Sequence, residues 1–263
     1  MSNSVLVRGV SIGEGMPKIC IPVLGSCEAE VLASLDVAMA CAPDILEWRI
    51  DYLEDISPEA VCALLEKVRA AAGNTPLLVT FRTENEGGQR AISAEDYAAL
   101  LSAIVHTGMA DLIDMEFAMA TGGAATHSLP VCEMRKLALE HNVPVIYSYH
   151  NFDRTPAQDE LVQKLGQMIS HGCNIAKIAV MPQSPADVLT LLAATEEAKR
   201  TFPSCPIITM SMGQLGMVSR LCGETFGSAV TFGSAAQASA PGQVPAKQLR
   251  QTLALLHNRT QKS

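Results

Sequence analysis

Short apolar runs, rich in β-branched residues, alternate along this chain with longer stretches whose apolar positions recur at helical spacing. The runs cover residues 18–25, 45–53, 77–82, 112–117, 143–150, 174–182, 206–213 and 229–236. Their starts are separated by 27, 32, 35, 31, 31, 32 and 23 residues. A strand, a helix and two turns need about 30 residues, so each interval fits one β–α unit. The stretch 58–72 carries apolar residues at i, i+3, i+4 and opens with Ser57-Pro58, an N-cap followed by proline at the first helical position. Thr155-Pro156 and Ser184-Pro185 predict the same device before helices over 155–171 and 184–200. Eight strands alternating with eight helices predict a parallel sheet covered by helices, an α/β fold. That count and the length of 263 residues fit a closed (β/α)8 TIM barrel. On pattern alone, the competing arrangement is an open, doubly wound sheet. Ahead of the first barrel strand, residues 4–15 predict a β-hairpin closing the bottom of the barrel. No linker divides the chain, so one domain is expected over 1–263.

Charge and composition narrow the partners. The formal net charge is −8 and 48% of residues are hydrophobic. An anionic surface argues against nucleic acid and anionic membranes, and a carboxylate ligand would need local arginines to overcome that field. The N-terminus lacks the pattern of a secretory signal and no apolar run reaches membrane-spanning length, which predicts a cytoplasmic protein. Eight cysteines form no CxxC pair and no zinc spacing. They are expected to be reduced and mostly buried. No phosphate-binding loop, HExxH or GxSxG motif occurs, and no ligand spacing suggests a metal.

The informative residues are charges inside predicted strands. Glu47, Arg49 and Asp51 share one parity in ILEWRIDYL, so a strand projects them together. An antiparallel sheet could leave them in solvent, but in a closed barrel they must pair with each other or with a ligand. Lys177 is the only charge in NIAKIAVMP. Burial strips an ammonium of hydration and favours the neutral, nucleophilic amine that attacks a carbonyl, and a nearby guanidinium such as Arg49 would add to this. The plainer alternative pairs Lys177 with a strand carboxylate such as Glu47. His150 ends the fifth run, where barrels carry catalytic groups and an imidazole shuttles protons. Arg82 ends the third run, Arg220 falls in the short segment after the seventh, and Ser239 and Gln243 lie in the loop after the eighth. Two guanidiniums, Arg82 and Arg220, converging on one mouth would clamp a carboxylate. The loop Ala-Pro-Gly-Gln (240–243) suggests a lid.

Together these residues resemble the type I 3-dehydroquinate dehydratases of the shikimate pathway, the route of aromatic amino acid biosynthesis. The match runs over nearly the whole chain. Its specific pieces are Glu-Trp-Arg-Ile-Asp (47–51), Phe-Arg-Thr-Glu-Asn-Glu-Gly-Gly (81–88), Ala-Lys-Ile-Ala-Val-Met-Pro-Gln (176–183), Ile-Thr-Met-Ser-Met-Gly (208–213) and Ala-Ser-Ala-Pro-Gly-Gln (238–243). The resemblance implies a lyase converting 3-dehydroquinate to 3-dehydroshikimate through a Schiff base on Lys177. It implies His150 as general acid and base, held by Glu86. Arg220, Ser239 and Gln243 would grip the substrate carboxylate. Glu47, Arg49 and Arg82 would bind hydroxyls and order the pocket, while Met210 and Met212 match apolar pocket positions. A homodimer without metal or organic cofactor is implied. Two departures stand out: Pro22 replaces a serine found in some relatives, and Ala235-Ala236-Gln237 lacks a lysine common in that loop. A class I aldolase would share the nucleophile but break a carbon–carbon bond, and a non-catalytic sensor would be expected to have lost Lys177 or His150.

Overall fold

The structure is a computed structural model describing residues 4–121, 129–235 and 242–260, with backbone only at 129–132 and 258–260. It opens with an antiparallel hairpin, β1 (Val5–Val7) and β2 (Val10–Ile12). Eight parallel strands follow: β3 (Lys18–Val23), β4 (Ile45–Arg49), β5 (Leu77–Thr80), β6 (Leu112–Glu116), β7 (Val145–Asn151), β8 (Ile175–Val180), β9 (Ile207–Ser211) and β10 (Val230–Ser234). From β3 to β9 each pairs with the next in chain order, and β10 pairs with β3. The seam between β9 and β10 closes through a parallel bridge at Ile207 and Ser228. There the Ala229 amide donates to the Ile207 carbonyl at 2.8 Å, and the Thr209 amide donates to the Ser228 hydroxyl at 3.1 Å. The ring is the predicted TIM barrel, and the doubly wound alternative falls. A two-residue β11 (Val244–Pro245), not anticipated, pairs with the end of β10.

The helices outside the ring are α1 (Glu28–Met39), α2 (Pro58–Ala72), α3 (Ala94–His106), α4 (Phe117–Thr121), α5 (Leu129–Glu140), α6 (Gln158–Ser170), α7 (Pro185–Thr201), α8 (Met217–Phe226) and α9 (Ala246–Thr260). Helix α2 has the predicted bounds, although the Ser57 side chain makes no capping bond. Before α7, the Asp187 carboxylate accepts from the amides of Gln183 and Ser184, capping the helix as its Ser-Pro start suggests. Helix α6 begins at Gln158, after the predicted Thr155-Pro156 start, because the Thr155 hydroxyl instead donates to the Met181 carbonyl. Strand β4 is shorter than the run 45–53: it ends at Arg49, and Ile50–Tyr52 turns into a 3-10 helix.

Period-two alternation sorts each barrel strand. Leu46, Trp48, Val79, Ile113, Ala176 and Ile178 point outward into the apolar layer beneath the helices. Inward, the lowest layer is apolar: Cys20, Ile45, Leu78, Leu112, Ile146, Ile175, Ile208 and Val230. Val7 and Ile12 of the hairpin pack on this layer and close the N-terminal mouth, as predicted. Ile12 is fully buried, and that burial contributes about 1.5–3 kcal/mol. The cysteine expectation is corrected. Among the described cysteines only Cys20 and Cys205 are buried, Cys27 is exposed and the rest are half-buried; Cys132 lies outside the described side chains. No helix among the described residues is long and apolar enough to cross a membrane.

Candidate active site

Two residues above the apolar layer the interior turns polar. Glu47, Thr80, Asp114, Ser148 and Lys177 lie two positions beyond Ile45, Leu78, Leu112, Ile146 and Ile175, so the same alternation that packs the bottom aims these groups inward. Buried charges without partners are expensive, and here the cations and anions interleave. Lys177 is 4% exposed. Its Nζ lies 3.3 Å from an Asp114 carboxylate oxygen, 3.7 Å from Glu47 and 4.6 Å from the centroid of the Phe232 ring. The carboxylate pairing and the nucleophile reading are therefore not exclusive, because Lys177 also lines a cavity of about 50 Å³. Glu47 is held in turn by the Thr80 hydroxyl at 3.1 Å.

Arg82 sits at the centre of the network. Its guanidinium donates to Asp114 at 2.7 Å, to the Ser148 hydroxyl at 2.9 Å, to Glu116 at 3.1 Å and to Glu86 at 3.2 Å. Despite the cost of burial, the charges of Arg82 and Lys177 hold Asp114 below the usual carboxylate range. Three protein carboxylates surround Arg82, so its guanidinium is paired within the cavity wall that it shares with Arg220. Arg49 makes a two-pronged pair with Asp51, at 2.7 and 2.8 Å, and lies over the Tyr52 ring. Asp51 is fully buried and also accepts from the amides of Arg82 and Gln89.

His150 lies near the end of β7 at the cavity rim. Its Nδ1 is 2.9 Å from Glu86 Oε2, and its own amide donates to the same oxygen at 3.1 Å. Nδ1 is thus engaged, which leaves Nε2 as the nitrogen available to a ligand. Burial, then the charges of Arg82, Lys177 and Arg49, pull the imidazole well below its ordinary range, so the ring is neutral near pH 7. Burial pushes Glu86 up to about 8, against the opposing charge of Arg82. Glu86 stands on a 3-10 turn ending at Gly87, whose φ is +82°. A β-carbon on Gly87 would come 2.2 Å from the Phe152 ring, so this close approach requires glycine.

The opposite wall is apolar and cationic. Met210, Met212, Phe232 and Arg220 line it, with Gln243 at the mouth. Arg220 lies in the short segment after β9, in the first turns of α8. Its guanidinium is buried and donates to the Met210 sulfur at 3.5 Å. Burial lowers it to about 10, the mark of a cation that a ligand anion would relieve. Of the candidate residues, Glu47, Arg49, Arg82, Glu86, His150, Lys177, Met210, Met212, Arg220 and Gln243 all border one cavity. Ala236, Gln237, Ser239 and, of the expected lid, Ala240 and Pro241 lie outside the described residues. Pro22 and Ala235 border a separate surface hollow beside α1. Asp114, Glu116 and Ser148 were missed, although LIDMEF shows the same alternating charges as ILEWR. Among the described residues no group of three His, Cys, Asp or Glu is placed to hold a metal.

Comparison with known proteins agrees with the fold. The type I 3-dehydroquinase family model matches residues 19–260. The 3-dehydroquinate dehydratase of Clostridium kluyveri is 48% identical over 257 residues, covering 97% of this chain and 98% of that protein. The Bacillus subtilis enzyme of that name is 44% identical over 259 residues, 98% and 99% of the two chains. Among solved structures, the type I 3-dehydroquinate dehydratase of Clostridium difficile, bound to covalently modified comenic acid, superimposes with a TM-score of 0.92. It is 42% identical and covers 98% of this chain and all of its own. The Geobacillus kaustophilus enzyme gives 0.91 at 40% identity, with 98% and 99% covered. The chain belongs to the type I 3-dehydroquinase family.

Proposed function

We propose that this protein dehydrates 3-dehydroquinate to 3-dehydroshikimate through a Schiff base on Lys177, with His150 as general acid and base. The observation that carries the reading is the placement of Lys177, His150 and Glu86 around one cavity whose other wall holds the buried Arg220. The Lys177 amine adds to the substrate ketone and loses water, giving an iminium that draws electrons from the adjacent carbon. Neutral His150 removes a proton there through Nε2 and an enamine forms. The enamine expels the β-hydroxyl as His150 returns the proton, so one water leaves the substrate. Hydrolysis of the new iminium then frees Lys177.

The other residues serve this sequence. Glu86 orients the imidazole, and the substrate carboxylate pairs with Arg220, assisted by Gln243 and Ser239. Glu47, Arg49 and Arg82 order hydroxyls and the pocket, and Met210 and Met212 keep it dry. No metal or organic cofactor enters these steps. The proposal includes a single cytoplasmic domain over 1–263 acting as a homodimer, which sedimentation of the purified protein tests. The reaction itself is tested by following the conjugated enone product in the ultraviolet: wild-type protein should form it from 3-dehydroquinate. Lys177→Ala should not, and turnover by that variant would overturn the reading. An aldolase would instead release two carbonyl-containing fragments, which product analysis separates.

A further inference from the structure

The Lys177 amine has two kinds of neighbour. Two carboxylates approach Nζ, Asp114 at 3.3 Å and Glu47 at 3.7 Å. The same nitrogen stands over the Phe232 ring, 4.6 Å from its centroid. Phe232 lies on β10 two residues beyond Val230, so the alternation that puts Val230 in the lowest, apolar layer also turns this side chain inward. It is buried, packs on that layer and borders the cavity. A ring at this height has a structural duty, closing the top of the apolar packing. Its position against the amine gives it a second one.

The chemistry proposed for Lys177 changes what its neighbours can offer. An ammonium has three N–H donors and serves both carboxylates. Once the nitrogen is joined to the substrate carbon by a double bond and protonated, a single N–H remains. One carboxylate keeps a hydrogen bond, and the positive charge shared with the adjoining carbon has no donor to give. A ring face attracts such charge without needing a donor, and the attraction strengthens where water is excluded. It also neither takes a proton nor adds to the electrophilic carbon.

We propose that Phe232 stabilises the cationic Lys177–substrate iminium through a cation–π contact, a further catalytic residue touching the reacting nitrogen. The inference rests on the Schiff-base reading and deepens it. The ring forms no bond and moves no proton; it shifts the balance between free enzyme and iminium. Packing alone needs only the volume of the side chain, whereas this contact needs the electron-rich face of the ring. Fluorine withdraws that electron density, changes the ring's size little and makes it more apolar. Fluorination therefore weakens a cation–π contact and leaves packing intact.

The test places phenylalanine bearing one, two or three ring fluorines at position 232 alone in the full-length protein. Each protein is mixed rapidly with 3-dehydroquinate over a range of concentrations and quenched in excess borohydride. The labelled fraction of Lys177, read by peptide mass, then counts the iminium present. The concentration giving half-maximal labelling should rise stepwise with fluorine number, by about 10-fold at three fluorines, while melting temperatures stay level. The kcat/KM for dehydration should fall in the same order. Phe232→Leu, apolar but without a ring face, should lose at least as much; if it is unstable, the near-isosteric fluorinated series decides alone. A wild type labelled on Lys177 beside a fluorinated series within twofold of it overturns the role of Phe232 and leaves the Schiff base standing. Absence of label on Lys177 in the wild type overturns the Schiff-base reading, and this inference with it.

Discussion

A single oxygen of Glu86 accepts both the backbone amide and the ring Nδ1 side of His150, at 3.1 and 2.9 Å. Backbone and imidazole are therefore positioned by one carboxylate, which Arg82 holds from the other side. The contact favours the tautomer that leaves Nε2 facing the cavity, the nitrogen that the proposed reaction uses as its base. In Glu86→Gln the carboxamide can donate to Nδ1 and favour the wrong tautomer, so kcat should fall about 100-fold or more while imine formation survives. Steady-state kinetics and reductive trapping on the same variant check this.

The pH profile follows from the same pair. The proposed dehydration needs the imidazole neutral, so kcat/KM should fall as pH drops and the pair gains a proton. Glu86 is raised to about 8 and His150 is lowered below its usual range, so in the wild type the acid limb reflects the carboxyl as well as the ring. Removing the carboxyl in Glu86→Gln leaves only the ring, and the acid limb should move to lower pH, beneath 6.5. A limb that stays in place would show that Glu86 does not titrate in the catalytic range.

His150→Ala should separate binding chemistry from proton transfer. The imine with 3-dehydroquinate should still form, while dehydration falls by about 10²–10⁴-fold. Mass spectrometry of the intact trapped protein, beside the enone assay, reads the two steps independently.

Asp114 gives a prediction about stability. It stands between Arg82 and Lys177, so Asp114→Asn leaves two buried cations short of a counter-charge and should cost about 3–5 kcal/mol. The carboxyl is held below its ordinary range in the fold, so its contribution is fully present above the unfolded value near 3.9 and is lost as pH falls through the lower folded value. Urea titrations should therefore show the gap between wild type and variant at pH 7 and a narrowing gap below pH 4.

Much of this arrangement was legible in the chain because two periodicities govern it. Alternation by two located Glu47, Arg49 and Lys177 on the inner face, and the repeat near thirty residues set the barrel count. Applied to LIDMEF, the same rule places Asp114 and Glu116 on the inner face. Other features had no local signal. Strand β4 stops at Arg49, where Asp51 turns back to bind its guanidinium and also accepts from the distant amides of Arg82 and Gln89, long-range contacts that override the β-branched and aromatic run. Arg220 comes to the cavity from a helix, where strand parity says nothing. Two of the three carboxylates around Arg82 come from β6, 32 and 34 residues later and beyond any local window, and Glu86 alone is near it in sequence.

The central claim is that the Lys177 amine becomes covalently bound to the substrate, and reductive trapping tests it most directly. Incubation with 3-dehydroquinate and borohydride, followed by digestion and peptide mass, should place one stable adduct on the peptide bearing Lys177, with activity lost in proportion. Full activity after borohydride, or an adduct on another lysine with Lys177 unmodified, would contradict the account.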